Sequence, residues 1–310
     1  MFIILLKGVI SFTMKIVHSY WSKPGKISRT GFTEKTSGGW RHKKYELMSW
    51  ALSCLTFKRF YPNIELVTDI DGKKLLIDQL RLPYTSIRIV LDQLNKYPQQ
   101  LWAVGKLFAY SLQDEPFIHV DNDIYIWKRF KPKIEKAALV AQHVDHDETH
   151  YNFAMDHLKE HNIQIPLVLT RDLAIHKRFN SSNAGIIGGN DIIFFKEYVE
   201  KAFHFIDTQL EKISKTVVGS LYAIIYEQYL YSALARKNNI KIHHLFRREE
   251  IKSLDLVNFM NKYGNTKYVH LYSFSKFSLE YCRNLEHQLL LEYPEYHNRI
   301  ISLAVNENGC

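Results

Sequence analysis

Two carboxylates at i and i+2, Asp121 and Asp123, stand directly behind the apolar run 116–120. Hard divalent cations take oxygen ligands, typically one or two carboxylates together with substrate phosphate oxygens. Such a pair at the carboxyl end of a buried strand suits Mg²⁺ or Mn²⁺ held over a diphosphate. The same spacing also occurs in surface turns, where Asp and Asn are favoured for backbone reasons. A second set of ligand-type residues, His143, Asp145, His146, Asp147 and His150, lies in the polar segment 142–150. Its spacing matches no H-E-x-x-H pattern. Asp147-Glu148 reads as the start of a helix, where acidic residues are favoured. A helix N-terminus or an acceptor-side loop is therefore expected there, not a second metal site.

The elements that must position these residues alternate along the chain. Residues 15–19, 64–68, 86–90, 116–120, 137–141, 183–189, 240–246 and 268–271 read as strands, several of them short apolar runs of the kind covered on both faces. Helical spacing of apolar residues appears over 41–60, 73–82, 99–113, 192–212, 219–237 and 279–292, the last expected to close the chain. Asp71-Gly72 reads as a turn after the second strand, and Asp191 as a helix cap. Strands alternating with helices predict a doubly wound, mostly parallel α/β sheet, whose ligands collect at the carboxyl ends of the strands. No linker divides the chain, so a single domain over 14–305 is expected, with a polar, Gly/Ser/Lys-rich loop at 22–39. Residues 1–13 are apolar but interrupted by Lys7, shorter than the roughly 20 residues that span a bilayer, and without a basic n-region. They are expected to be an extension outside the fold, with weak peripheral membrane contact as the second reading.

Bulk properties narrow the function classes. The chain has 310 residues, 46% of them hydrophobic and 14% aromatic, which excludes long disordered stretches. A formal charge of +9 favours anionic partners, although scattered surface lysines produce the same figure. Lys and Arg are not grouped with interleaved aromatics, so no specific nucleic-acid partner is expected. Cys54, Cys282 and Cys310 are far apart and form neither a disulfide framework nor a zinc ribbon. That usage fits a reducing, cytoplasmic setting, including the inner membrane face.

Three patches in order give the chain a resemblance to the GT-A fold glycosyltransferases, on the glycogenin and galactosyltransferase-like branch. The strand ending in Val120-Asp-Asn-Asp123 resembles the D-x-D signature of that family. The segment 183–190, Asn-Ala-Gly-Ile-Ile-Gly-Gly-Asn, is similar to the strand lining the donor-sugar side of its pocket. The segment 270–276, His-Leu-Tyr-Ser-Phe-Ser-Lys, resembles its H-x-x-G-x-x-K element, with Ser273 where the family has glycine and Phe277 where proline is usual.

The resemblance, which spans about 14–280, implies a hexosyltransferase that moves a sugar from a nucleoside-diphosphate sugar, a UDP-sugar first among them, to a hydroxyl of a sugar, glycolipid or peptide. It implies Mn²⁺ or Mg²⁺ held by Asp121, Asp123 and His270, the imidazole favouring Mn²⁺, and diphosphate contact from Lys276. It places Asn183, Gly185, Gly188 and Gly189 along the donor sugar, Lys106 beneath the metal strand reaching toward the donor, and Tyr20, Trp21 and Asp69 at the nucleobase and ribose. Glu227, in Tyr226-Glu-Gln-Tyr229, corresponds to an acidic segment near the acceptor and is the candidate general base. Two other readings of the carboxylates stand beside it. One is a metal-dependent phosphohydrolase or nucleotidyltransferase, the other a non-catalytic nucleotide- or anion-binding protein.

Overall fold

Short runs of Ile, Val, Leu and Phe form the centre of the molecule as strands β1 (Lys15–Tyr20), β2 (Ile64–Thr68), β3 (Ser86–Ile89) and β4 (Phe117–Val120). They are followed by β5 (Ile124–Ile126), β6 (Leu139–Ala141), β7 (Val144–Asp145), β8 (Ser181–Ser182), β9 (Ile186–Gly189), β10 (Ile242–His244) and β11 (Tyr268–His270). The structure is a computed structural model and describes residues 14–26, 37–145, 147–216, 221–247, 250 and 255–307. The expectations for residues 1–13, His146 and Cys310, and for much of the loop 22–39, fall outside the described residues.

Seven strands form one sheet in the order β10-β6-β9-β4-β1-β2-β3. Every neighbouring pair is parallel except those of β9, which runs antiparallel to both β4 and β6. This is the doubly wound, mostly parallel α/β sheet that the alternation of elements predicts. Two small antiparallel ribbons, β5 with β11 and β7 with β8, stand beside it.

Side chains alternate across β4 with the period of two that a strand imposes. Phe117 packs into the core formed with Leu107, Tyr110, Phe195 and Tyr198, while Ile118 and Val120 enter the core with Ile16, Phe57 and Ile124. All three are buried, and each contributes about 1.5–3 kcal/mol by leaving water. The helix Lys43–Lys58 covers one face, and its start is fixed by the His42 ring, which accepts from Lys44 N. The helices Val104–Ser111, Ile192–Asp207 and Leu230–Lys237 contribute to the other core.

Several boundaries differ from expectation for local reasons. Asp71-Gly72 is no turn: Asp69 caps a helix starting at Ile70 by accepting from Gly72 N, and the helix runs on through a π-helical turn, Lys74–Gln79. The segment 99–113 is regular only over Val104–Ser111, with a 3₁₀ turn, Leu91–Lys96, ahead of Pro98. The span 192–212 divides into Ile192–Asp207 and Leu210–Thr216. The helix Leu279–Glu292 does not close the chain, because Pro294, whose fixed φ suits a first helical position, begins another that reaches Glu307. Cys54 and Cys282 are buried free thiols. Among the described residues no helix is long and apolar enough to cross a membrane.

Candidate active site

The Asp-Asn-Asp segment turns the chain sharply at the end of β4. Ile124 N donates to Asp121 O at 3.2 Å, and the chain reverses into β5. β5 pairs with β11 in a register that sets Ile124 opposite His270, and Leu271 N donates to Asp123 O at 2.9 Å. Strand pairing thus carries a histidine from far along the sequence to the second aspartate. His270 Nε2 lies 3.3 Å from Asp123 Oδ1, and Lys276 Nζ lies 2.6 Å from Asp123 Oδ2. One ligand atom each from Asp121, Asp123 and His270 falls within 4.8 Å of the others, and this is the only such group among the described residues.

The first aspartate is held from the other side. Asp121 N donates to Gly185 O at 2.9 Å, joining the end of β4 to the start of β9. Its carboxylate meets Lys106 Nζ at 2.9 Å, and the same ammonium group contacts Glu227 Oε1 at 2.7 Å and Ala184 O at 3.1 Å. Lys106 and Glu227 are buried, whereas the Asp121 side chain keeps 25% of its surface exposed. Glu227 belongs to a π-helical turn, Ile224–Tyr229, of the kind often found at functional sites.

Charge is balanced tightly here. Burial alone would raise the Asp123 carboxyl, but Lys276 and His270 hold it well below the usual carboxylate range. Burial raises Asp121, with Lys106 opposing and Asp123 reinforcing the shift. Burial likewise raises Glu227 against the pull of Lys106. Burial would lower Lys106, but Asp121 and Glu227 together raise it above an ordinary lysine. Three buried or half-buried carboxylates share two ammonium groups.

The donor set fits a divalent cation. Asp123 Oδ1 and His270 Nδ1 are buried and make no hydrogen bond, and Oδ1 faces His270 Nε2 without hydrogen-bond alignment. Buried polar atoms are ordinarily paired, and a carboxylate oxygen beside an imidazole nitrogen is a natural ligand pair for Mn²⁺ or a similar ion. Gly185 forms the wall behind them. A Cβ there would lie 2.6 Å from both Gln142 Oε1 and His270 Cε1. Asn183 Oδ1 accepts from Gly185 N, and Tyr268 OH donates to Gln142 Oε1. Sequence reasoning passed over Gln142 and Tyr268; their places at the ends of β6 and β11, beside the strands read as functional, were the available signal.

The remaining expected residues divide. Gly188 and Gly189 lie away from the group of Asp121, Asp123 and His270. They pair with Ile118 and Phe117 near the opposite end of β4, about 10 Å along the strands from the aspartates. Gly189 has φ 143°, and a Cβ on it would meet Ala138 O at 2.0 Å, so close backbone approach accounts for it. Tyr20 is a core residue packed edge-on against Trp50, and Trp21 is buried against Gly105 on the other side. Neither ring presents an open face for stacking. Asp69 is buried with both oxygens engaged, accepting from Ser22 N and Gly72 N at 2.7 Å each, which ties β1 to β2. Glu227 is fully buried, with Oε1 against Lys106. In the second ligand-type segment, Asp147 caps the helix Glu148–Glu160, and Asp145 accepts from Tyr151 OH and from Asp147 N. Ser273 has φ 51°, the left-handed region that glycine favours, at the position where the resembling family has glycine.

A family model matches residues 14–303, and the chain belongs to that family, described as a family of unknown function, DUF6734. No curated protein matches the sequence. Solved structures similar to it include mouse xyloside xylosyltransferase 1 in its apo form, at 9% identity and TM-score 0.39, covering 83% of this chain and 96% of that one. The glycosyltransferase GlyE of Streptococcus pneumoniae TIGR4 is similar at 10% identity and TM-score 0.42, covering 94% of this chain, which spans 65% of GlyE. The galactosyltransferase LgtC, solved with donor and acceptor sugar analogues, is similar at 11% identity and TM-score 0.45, covering 92% of this chain and 100% of LgtC. At this level of likeness the functional reading rests on the side chains of the site.

Proposed function

We infer that this protein is a metal-dependent glycosyltransferase that moves a sugar from a nucleoside-diphosphate sugar to an acceptor hydroxyl. The observation that carries the reading is the meeting of Asp121, Asp123 and His270 within 4.8 Å, with Lys276 against Asp123. Those residues come from two of the three ordered segments that resemble motifs of the GT-A glycosyltransferases, and the third, 183–190, places Gly185 against His270. Mn²⁺ or Mg²⁺ on this donor set supplies Lewis-acid stabilisation of the departing nucleoside diphosphate.

The chain's own residues do the rest. Asp121 and Asp123 present oxygen ligands from a rigid strand end, and His270 adds a nitrogen ligand fixed by the β5–β11 pairing. Lys276, 18% exposed and on a flexible stem, offers a point charge to a phosphate oxygen. Lys106 is the positioning residue, its ammonium group spanning Asp121, Glu227 and the Ala184 carbonyl and so fixing where the Asp121 carboxylate points. Glu227 acts through Lys106. Asn183 and Gly185 shape the wall where a donor sugar would lie.

A thermal-shift screen of UDP and GDP with and without Mn²⁺ tests the class. The reading expects stabilisation by one of them only when metal is present, and loss of that effect in Asp123→Ala. Stabilisation that survives in Asp123→Ala refutes the assignment. Chromatography of the products then separates sugar transfer from bare phosphate release, the outcome expected of a phosphohydrolase.

A further inference from the structure

Lys276 is held against Asp123 by contacts on three sides. Its Nζ is 2.6 Å from Asp123 Oδ2, 3.3 Å from Gly38 O and 5.7 Å from the centre of the Trp40 ring. Its own carbonyl accepts from Arg41 N and Cys282 Sγ, which fixes the start of the side chain. The other oxygen of Asp123 makes no hydrogen bond and lies 3.3 Å from His270 Nε2. Asp121 is already bonded to Lys106, which is buried and has Glu227 behind it. Of the two lysines in the cluster, Lys276 has the more exposed side chain, 18% against 8% for Lys106.

We propose that Lys276 is a built-in surrogate cation on Asp123, held on Oδ2 beside the Oδ1 that faces His270, and that a divalent cation must work against its charge. Metal and diphosphate displace it together. A dication approaching Asp123 alone meets an ammonium group already on the carboxylate, and so binds weakly. When a nucleoside diphosphate arrives with the metal, its phosphate oxygens give the displaced ammonium a new anionic partner, and Asp123 is released to the metal. Metal and diphosphate therefore bind with positive coupling, and linkage makes the coupling equal in both directions. Without either ligand the lysine keeps the buried carboxylate compensated, which an unpaired charge in this setting requires. The inference rests on the glycosyltransferase reading for the identity of the second ligand, and on the geometry alone for the competition between lysine and metal.

The test is Mn²⁺ binding, followed by electron paramagnetic resonance of free Mn²⁺, on the full chain as wild type, Lys276→Gln, Lys276→Arg and Asp123→Asn. Removing a cation from direct contact with the carboxylate is expected to tighten binding of Mn²⁺ alone by about tenfold or more in Lys276→Gln. Lys276→Arg keeps a competing cation and is expected to stay weak. UDP is expected to tighten Mn²⁺ binding in the wild type and to do so much less in Lys276→Gln. Circular dichroism and urea midpoints confirm that each variant is folded, and Lys276→Met replaces Lys276→Gln if the latter is not. Mn²⁺ binding that Asp123→Asn abolishes but Lys276→Gln leaves unchanged or weaker overturns the surrogate-cation proposal and leaves the metal site standing. Mn²⁺ binding that is absent from the wild type and Lys276→Gln alike, or unaffected by Asp123→Asn, overturns both.

Discussion

Glu227 separates two accounts of the pocket, a general base or a support for Lys106, and a double-mutant cycle on Lys106 and Glu227 decides between them. The two side chains are buried and meet at 2.7 Å. Lys106→Met leaves the carboxylates of Asp121 and Glu227 without the cation that sits between them, and removing one member of a buried ion pair costs about 3–5 kcal/mol. Glu227→Gln keeps the shape and a hydrogen-bond acceptor but not the charge. Its cost is the difference between a charged and a neutral hydrogen bond, about 1–2 kcal/mol. In the double variant the glutamine faces a methionine and no buried charge is left at position 227, so the second substitution adds almost nothing or restores stability. The expected coupling is about 1–3 kcal/mol, read from urea midpoints at unchanged m-values. Mn²⁺ affinity measured on the same proteins is expected to fall in Glu227→Gln, which leaves the Lys106 charge beside Asp121 without its second carboxylate. Effects that add to within about 0.5 kcal/mol refute the support role. So does a Glu227→Gln variant that binds Mn²⁺ normally yet loses all transfer activity, the signature of a base.

Three further outcomes follow from the same geometry. Gly185→Ala puts a methyl group 2.6 Å from Gln142 Oε1 and His270 Cε1; calorimetric Mn²⁺ titration should show weakened binding, with about 1–3 kcal/mol of overpacking cost in urea melts. Ser273→Gly removes a left-handed backbone strain of roughly 1–2 kcal/mol while adding chain entropy of about 0.5–1 kcal/mol, so thermal unfolding should show a small gain or no change, and a clear loss contradicts the strain argument. Because the Asp123 carboxyl is held low by Lys276 and His270 against its burial, the ionised carboxylate stabilises the fold at pH values above the ordinary carboxylate pKa, about 3.9. That contribution is lost as pH falls through the depressed folded value. The stability gap between wild type and Lys276→Gln should therefore be full at pH 6 and shrink on acidification below about pH 4.

The strands of the sheet were legible because buried parallel strands leave runs that no other element explains, such as 64–68 and 116–120. The antiparallel insertion of β9 was not, since small residues such as Gly188 and Gly189 carry no signal of strand direction. Their meaning depends on Ala138 and Phe117, which reach them only through the sheet. The metal cluster was legible as types and order, yet the distance from Asp123 to His270 comes from the β5–β11 pairing. Tyr20 and Trp21 show the limit in reverse. An aromatic at a strand end looks the same in sequence whether it stacks on a ligand or packs on Trp50 and Gly105. Glu227 read as a candidate base because its place behind Lys106, a residue far away in the chain, leaves no mark on the sequence around it.

The central claim, a metal centre of Asp121, Asp123 and His270 that receives a nucleoside diphosphate, is tested most directly by pulsed electron paramagnetic resonance of bound Mn²⁺. The account predicts nitrogen-14 coupling from one imidazole that disappears in His270→Gln, and phosphorus-31 coupling that appears on adding the matching nucleoside diphosphate. Bound Mn²⁺ with no nitrogen coupling, or with coupling that survives in His270→Gln, contradicts it.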